Sequence, residues 1–120
     1  MFGGRRGALA RDAVDAHDVL AAPAILPAEV AQVMRSLSRR GQLAGLRAYA
    51  ALERVGDLPL SLAEFLPHRR RVWELRDNVS AYDAWYVALA ESLDVPLVTL
   101  DARLARAAGP RCQIVLLGEE

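Results

Sequence analysis

The stretch that decides the fold runs from Ser80 to Leu104 and reads SAYDAWYVALAESLDVPLVTLDARL. Its first part predicts a helix that Ser80 caps and that ends near Leu93. Pro96 to Leu100 (PLVTL) then predicts a continuous apolar strand, of the kind that is buried on both faces of a parallel sheet. Asp101 begins a second helix. The order helix, buried strand, helix is typical of α/β proteins.

The remaining elements continue this alternation on both sides of that stretch. Pro27 opens a helix and Gly41 ends it, which is the usual placement of both residue types. With 120 residues the chain has the length of one domain. The sequence therefore predicts a single α/β domain over residues 1–120, with a central parallel sheet flanked by helices. The other predicted elements are strands over Val19–Ala22, Leu58–Leu62 and Gln113–Leu117 and helices over Ala8–Ala16, Leu43–Val55, Ala63–Leu75 and Asp101–Ala108.

The charges balance, because 15 arginines face 15 acidic residues and no lysine is present. A general basic field for holding nucleic acid is therefore absent. Arg69, Arg70 and Arg71 form one local cluster that could contact RNA phosphates. A solvated helix face is the slightly favoured alternative, because no aromatic stacking platform accompanies them in the sequence.

The single cysteine, Cys112, excludes an internal disulfide. No apolar stretch reaches 18 residues, so we expect no membrane span. No signal peptide is recognisable, and we expect a cytoplasmic protein. His17 and His68 have no Cys or Glu at ligand spacing, which argues against zinc, and the glycine patterns of nucleotide-binding loops are missing.

Three carboxylates stand in first helical turns, at Glu29, Asp83 and Asp101. Each has a structural explanation by itself. Glu29 complements the positive end of a helix dipole, Ser80-x-x-Asp83 has capping-box spacing, and Asp101 can be an N-cap.

Taken together, the three acids indicate more than capping. Helices start where parallel strands end, so the three carboxylates are expected to meet at one edge of the sheet. Like charges that are held close repel each other. Helix caps do not require acids to be grouped in this way, whereas a hard divalent cation such as Mg²⁺ does. Thr99 adds a hydroxyl that we expect to point at the same place.

Three stretches resemble the PIN domain, and specifically the VapC-type toxins of bacterial toxin–antitoxin pairs. They are APAILPAEV from Ala22 to Val30, WELRDNVSAYDAWYVALAE from Trp73 to Glu91, and PLVTLDARL from Pro96 to Leu104. The last two are specific together, and the resemblance extends from about Gly7 onward.

The resemblance implies a PIN-like three-layer fold with a central parallel sheet, and cleavage of single-stranded RNA with Mg²⁺ or Mn²⁺. Glu29, Asp83 and Asp101 match the acids that hold the metal, Thr99 matches the strand hydroxyl and Ser80 the helix-start serine. The family further implies a homodimer and a cognate antitoxin that blocks the site.

The chain departs from the family pattern at its start. Family members begin with an apolar strand that ends in an aspartate, the first metal ligand. Asp15 is rejected for this role because only 14 residues separate it from Glu29, too few for the intervening elements. We therefore expect an N-terminally shortened domain with weak or absent nuclease activity. The alternatives are a non-catalytic module that still binds an antitoxin, and an ordinary α/β domain whose acids are only caps.

Overall fold

The computed structural model describes residues 20–118. Four short strands alternate with helices, as expected for an α/β protein. In chain order the elements are β1 (Leu20–Pro23), α1 (Leu26–Arg39), α2 (Gly45–Val55), β2 (Leu60–Ala63), a 3₁₀ turn (Leu66–His68), α3 (Arg69–Glu74), α4 (Ala81–Leu93), β3 (Leu97–Thr99), α5 (Ala102–Ala105) and β4 (Ile114–Leu116).

The strands pair in parallel, which confirms the fold class. β1 pairs with β2, with Leu20 opposite Leu60, and β3 pairs with β4, with Leu97 opposite Ile114. Within residues 20–118 these are two separate two-stranded sheets, whereas the sequence suggested one central sheet. Parallel strands need a long crossover, and here helices supply each one: α1 and α2 between β1 and β2, and α5 between β3 and β4.

Helix α4 is the centre of the core. Ala84 and Val87 on α4 have no solvent exposure at all, and Leu75 before the helix is 1% exposed. The small side chain of alanine lets neighbouring elements approach α4 closely, and both β1 and β3 contact it. The helix ends where Asp94 adopts the left-handed conformation, with φ of 55°. α4 therefore joins the two strand pairs, and its first turn lies at the candidate site.

Several predicted elements need correction. β3 was expected to be buried on both faces, but Val98 is 40% exposed because no described element covers its side of the strand. Ala63 belongs to β2 rather than to a helix, and helix α3 begins only at Arg69. Pro67 explains the delay, because proline cannot donate the backbone hydrogen bond that a continuous helix needs at that position.

Two predictions about the start of the chain lie outside the described residues. They are the helix over Ala8–Ala16 and the place of Asp15. The strand predicted over Val19–Ala22 corresponds to β1, of which residue 20 onward is described. In residues 20–118, no helix combines the length and the apolar character that crossing a bilayer requires.

Candidate metal and RNA site

The first turn of α4 carries Asp83, and Ser80 fixes that turn. Ser80 has extended backbone angles and its Oγ accepts a hydrogen bond from the Asp83 backbone N–H at 3.1 Å, as an N-cap does. Only half of the capping box forms, since in residues 20–118 the Asp83 carboxylate accepts no hydrogen bond. Asp83 is half-buried. Capping therefore explains Ser80 but leaves the charge of Asp83 without a structural partner in this part of the chain.

Asp101 caps α5, but with one oxygen only. Its Oδ1 accepts hydrogen bonds from the backbone N–H groups of Arg103, at 2.8 Å, and Leu104, at 3.5 Å. The hydroxyl of Thr99 accepts a hydrogen bond from the Asp101 backbone N–H at 3.0 Å. Thr99 thus fixes the backbone at the end of β3, from which the Asp101 side chain projects. The Asp101 carboxylate is exposed, and its second oxygen accepts no hydrogen bond from the part of the chain that the structure describes.

Glu29 lies in the first turn of α1 and meets a residue that the sequence analysis did not single out as a partner. The Tyr86 hydroxyl donates a hydrogen bond to Glu29 Oε1 at 2.7 Å, although the two residues are 57 positions apart. Burial, then Glu29 and then Asp83 raise the pKa of Tyr86 above its usual value, so the phenol stays protonated as a donor. Tyr86 follows Asp83 by three residues, so this contact holds Glu29 against the turn of α4 that comes after Asp83.

The donor set suits a hard divalent cation. It consists of carboxylate oxygens, which Mg²⁺ and Mn²⁺ prefer, and each acid has an oxygen outside the hydrogen bonds described above. From residue 20 to residue 118, however, no three His, Cys, Asp or Glu side chains stand close enough to enclose an ion by themselves. Mg²⁺ commonly binds through one or two carboxylates, completed by waters and a phosphate. The residues therefore fit such an ion as partial ligands.

The arginine cluster divides into two roles. Arg71 binds Glu91 with two hydrogen bonds, from Nε at 2.7 Å and from Nη2 at 3.0 Å, and its Nη2 also donates to the Gly109 carbonyl oxygen at 2.8 Å. Glu91 also accepts from the Arg111 backbone N–H at 2.7 Å. Arg71 therefore ties α3 to α4 and to the loop before β4, which is a structural role.

Titration of this group follows from the same contacts. Burial opposes ionisation of Glu91, but the hydrogen bonds from Arg71 and Arg111 outweigh it and lower the pKa of the Glu91 carboxyl. The hydrogen bond from Arg71 to Glu91 likewise raises the pKa of the guanidinium, against the effect of burial. The pair is thus held in its charged form.

Arg70 is exposed and Arg69 uses one donor on the Leu66 carbonyl oxygen, at 2.7 Å. An aromatic ring does accompany them, contrary to the sequence analysis. Trp73 is 67% exposed and the Arg76 guanidinium lies 4.7 Å from the centre of its ring. The nearness of Trp73 in the sequence was visible, but its exposure was not. Arg69, Arg70 and Trp73 are therefore all exposed on the short helix α3.

A groove in the described part lies away from Asp83. It has a volume of about 390 Å³ and lies at the carboxyl end of α4, whereas Asp83 lies at the amino end. Burial and then the charge of Glu91 raise the pKa of the Cys112 thiol in its wall, which makes a reactive thiolate unfavourable. The groove is lined by Ala90, Glu91, Asp94, Val95, Pro96, Arg111, Cys112 and Gln113.

Comparison with known proteins finds a matching family model and several similar relatives. The family model described as the PIN domain matches residues 1–110. Ribonuclease VapC1 of Mycobacterium tuberculosis is 44% identical over 100 residues, covering 80% of this chain and 73% of the relative. The VapC ribonuclease Mb0985 of Mycobacterium bovis is 36% identical over 102 residues, covering 85% and 80%. Ribonuclease VapC12 of Mycobacterium tuberculosis is 33% identical over 96 residues, covering 80% and 74%.

Proposed function

We propose that this chain, which belongs to the PIN-domain family and within it to the VapC-type ribonucleases, is the toxin of a toxin–antitoxin pair. In this proposal it hydrolyses phosphodiester bonds of single-stranded RNA with the help of a bound Mg²⁺ or Mn²⁺ ion. The observation that carries the proposal is the hydrogen bond from Tyr86 to Glu29, one helical turn after Asp83 on α4. This contact ties Glu29, from a distant part of the chain, to the face of α4 that carries Asp83, which capping of separate helices does not require.

Glu29, Asp83 and Asp101 are the proposed metal ligands. An ion bound there would make a water more acidic and neutralise charge on the phosphate oxygens. Asp101 contributes the oxygen that α5 does not use, and Thr99 fixes the backbone from which Asp101 projects. Ser80 does the same for Asp83. The backbone around each acid is therefore held before substrate arrives, which is how positioned groups accelerate a reaction.

Arg69 and Arg70 are proposed to contact RNA phosphates, and Trp73 to stack on a base. Stacking on aromatic rings tolerates any base, so it suits binding of a single strand. Arg71 is left out of this surface, because Glu91 and Gly109 engage its guanidinium. RNA contact by Arg71 would require breaking three hydrogen bonds that hold the fold.

The proposed partners are a cognate antitoxin and a second copy of the chain. Several large apolar side chains stand exposed in the described part, and exposed apolar surface is typical of proteins that associate. The most exposed of them are Leu46 at 87%, Trp73 at 67%, Leu66 at 65% and Tyr49 at 60%. This apolar surface also favours a second candidate function, a partner-binding module that cuts RNA weakly or not at all.

The test is cleavage of a labelled single-stranded RNA by the whole chain, with Mg²⁺ and with EDTA. We expect cleavage that needs the metal and that Asp83→Asn abolishes. Asp57→Asn, which changes an exposed aspartate in the turn after α2, is the matched control and should cleave like the wild type. The proposal is contradicted if Asp83→Asn cleaves as well as Asp57→Asn does, or if EDTA leaves cleavage unchanged. No cleavage together with firm antitoxin binding supports the second candidate.

A further inference from the structure

Tyr86 connects two helices through one polar contact. Its hydroxyl, on α4, donates to Glu29 Oε1 on α1 at 2.7 Å. The phenol is half-buried, so its hydrogen bond competes less with water than one on the surface does. A hydrogen bond to a charged acceptor is among the stronger ones in proteins. The contact therefore fixes the orientation of the Glu29 carboxylate.

The position of Tyr86 on its helix matters as much as its partner. It follows Asp83 by three residues, and residues at that spacing lie on the same face of a helix. Without the phenol as donor, the flexible Glu29 side chain would be free to adopt other rotamers. The phenol donates to one oxygen only, so within residues 20–118 Glu29 Oε2 accepts no hydrogen bond, on a carboxylate that is already held.

We propose that Tyr86 is a positioning residue for the ion site: its hydroxyl holds Glu29 so that the second carboxylate oxygen can bind the divalent ion beside Asp83. This inference rests on the proposed function, because it takes Glu29 as a metal ligand. Groups that orient a ligand from behind commonly change metal affinity when they are removed. Tyr86 would act in this way, without touching the ion.

A purely structural link between α1 and α4 is the competing explanation. The chain offers a matched control for it, because Tyr49 Oη donates to Glu53 Oε1 at 2.6 Å on the exposed face of α2. Tyr49→Phe and Tyr86→Phe each remove one tyrosine–glutamate hydrogen bond and nothing else. A structural link affects only stability, whereas a positioning residue also affects the affinity for the ion.

The experiment measures Mn²⁺ affinity by electron paramagnetic resonance on the whole chain and the variants, with melting temperatures in EDTA alongside. We expect Tyr86→Phe to weaken Mn²⁺ binding about tenfold and Tyr49→Phe to leave it unchanged. In the background of Glu29→Gln, we expect Tyr86→Phe to have little further effect, because Tyr86 acts through Glu29.

The outcomes separate this inference from the proposed function. Wild-type affinity in Tyr86→Phe, with weakened affinity in Glu29→Gln, overturns the role of Tyr86 alone. An equal loss on adding Tyr86→Phe to Glu29→Gln also overturns it, since Tyr86 would then act elsewhere. If the wild type binds no Mn²⁺, both the ion site and the role of Tyr86 fail. A melting temperature that falls in Tyr86→Phe without a change in affinity leaves only the structural link.

Discussion

Replacement of Arg71 by alanine should destabilise the fold rather than weaken RNA binding alone. The guanidinium donates two hydrogen bonds to Glu91 and one to the Gly109 carbonyl oxygen, and the side chains of Arg71 and Glu91 are only 18% and 16% exposed. Removing it leaves the Gly109 carbonyl without this donor, and leaves the partly buried Glu91 carboxylate with the Arg111 backbone N–H as its remaining donor in residues 20–118. The contact with a third partner, Glu74, at 3.3 Å, lies at the surface and adds little.

The size of the effect follows from those contacts. Hydrogen bonds to charged groups contribute about 1.5–3 kcal/mol each when well shielded, and partial exposure places these bonds at or below the lower end. The loss should therefore be about 3 kcal/mol in the free energy of unfolding. With a denaturant dependence of about 2 kcal/mol per molar urea, the midpoint of unfolding falls by about 1.5 M.

Urea unfolding followed by circular dichroism measures this directly, with Arg70→Ala as the matched control. Arg70 is the exposed neighbour on α3, so its replacement changes helix propensity equally and removes no hydrogen bond found in residues 20–118. Its midpoint should stay within about 0.3 M of the wild type, since surface changes are usually worth less than about 0.5 kcal/mol. Equal midpoints for Arg71→Ala and Arg70→Ala would refute the structural role of Arg71.

Three other predictions follow from the same contacts. Asp101→Asn keeps the capping oxygen, so it should lose cleavage but leave the melting temperature unchanged. Asp101→Ala should lose both cleavage and about 1 kcal/mol of stability in urea unfolding. A destabilised Asp101→Asn would contradict this prediction. Gly109→Ala should lower the free energy of unfolding by about 1–2 kcal/mol, because φ is +104° and an added Cβ would meet Leu75 Cδ2 at 3.0 Å; an unchanged urea midpoint would refute this reasoning. The folded-state pKa of Glu91 is lowered, so its contribution is complete above the unfolded value of about 4.3 and is lost as the pH falls through the folded value. The urea midpoints of the wild type and Glu91→Gln should therefore differ at pH 6 and converge in acid. A difference between the midpoints that does not change with pH would contradict this prediction.

Structural features that are determined by hydrogen bonds between residues close together in the sequence were predictable from the sequence. The start of α4 at the Ser80 cap and the capping of α5 by Asp101 are decided within three residues, and both were found where the pattern predicted them. The family resemblance is likewise confirmed by the PIN-domain match and the VapC relatives. Local hydrogen-bonding patterns leave a readable trace in the residue types.

Contacts between distant residues left no such trace. The hydrogen bond between Glu29 and Tyr86 spans 57 positions, and the pairing of Arg71 with Glu91 spans 20. Nothing in the cluster Arg69–Arg71 tells which arginine turns inward, because this depends on how α3 packs on α4. The exposure of Val98 was missed for a similar reason, since an apolar run indicates burial without naming the element that covers it.

The central claim is the proposal that Glu29, Asp83 and Asp101 are partial ligands of one divalent ion, which waters and an RNA phosphate complete. Mn²⁺ added at substoichiometric amounts to the isotopically labelled chain broadens amide signals near the bound ion in nuclear magnetic resonance spectra. We predict that the amides of these three residues broaden together and that Asp83→Asn removes the effect at all three. Broadening at only one acid, or at the groove beside Cys112 instead, would contradict a shared ion site.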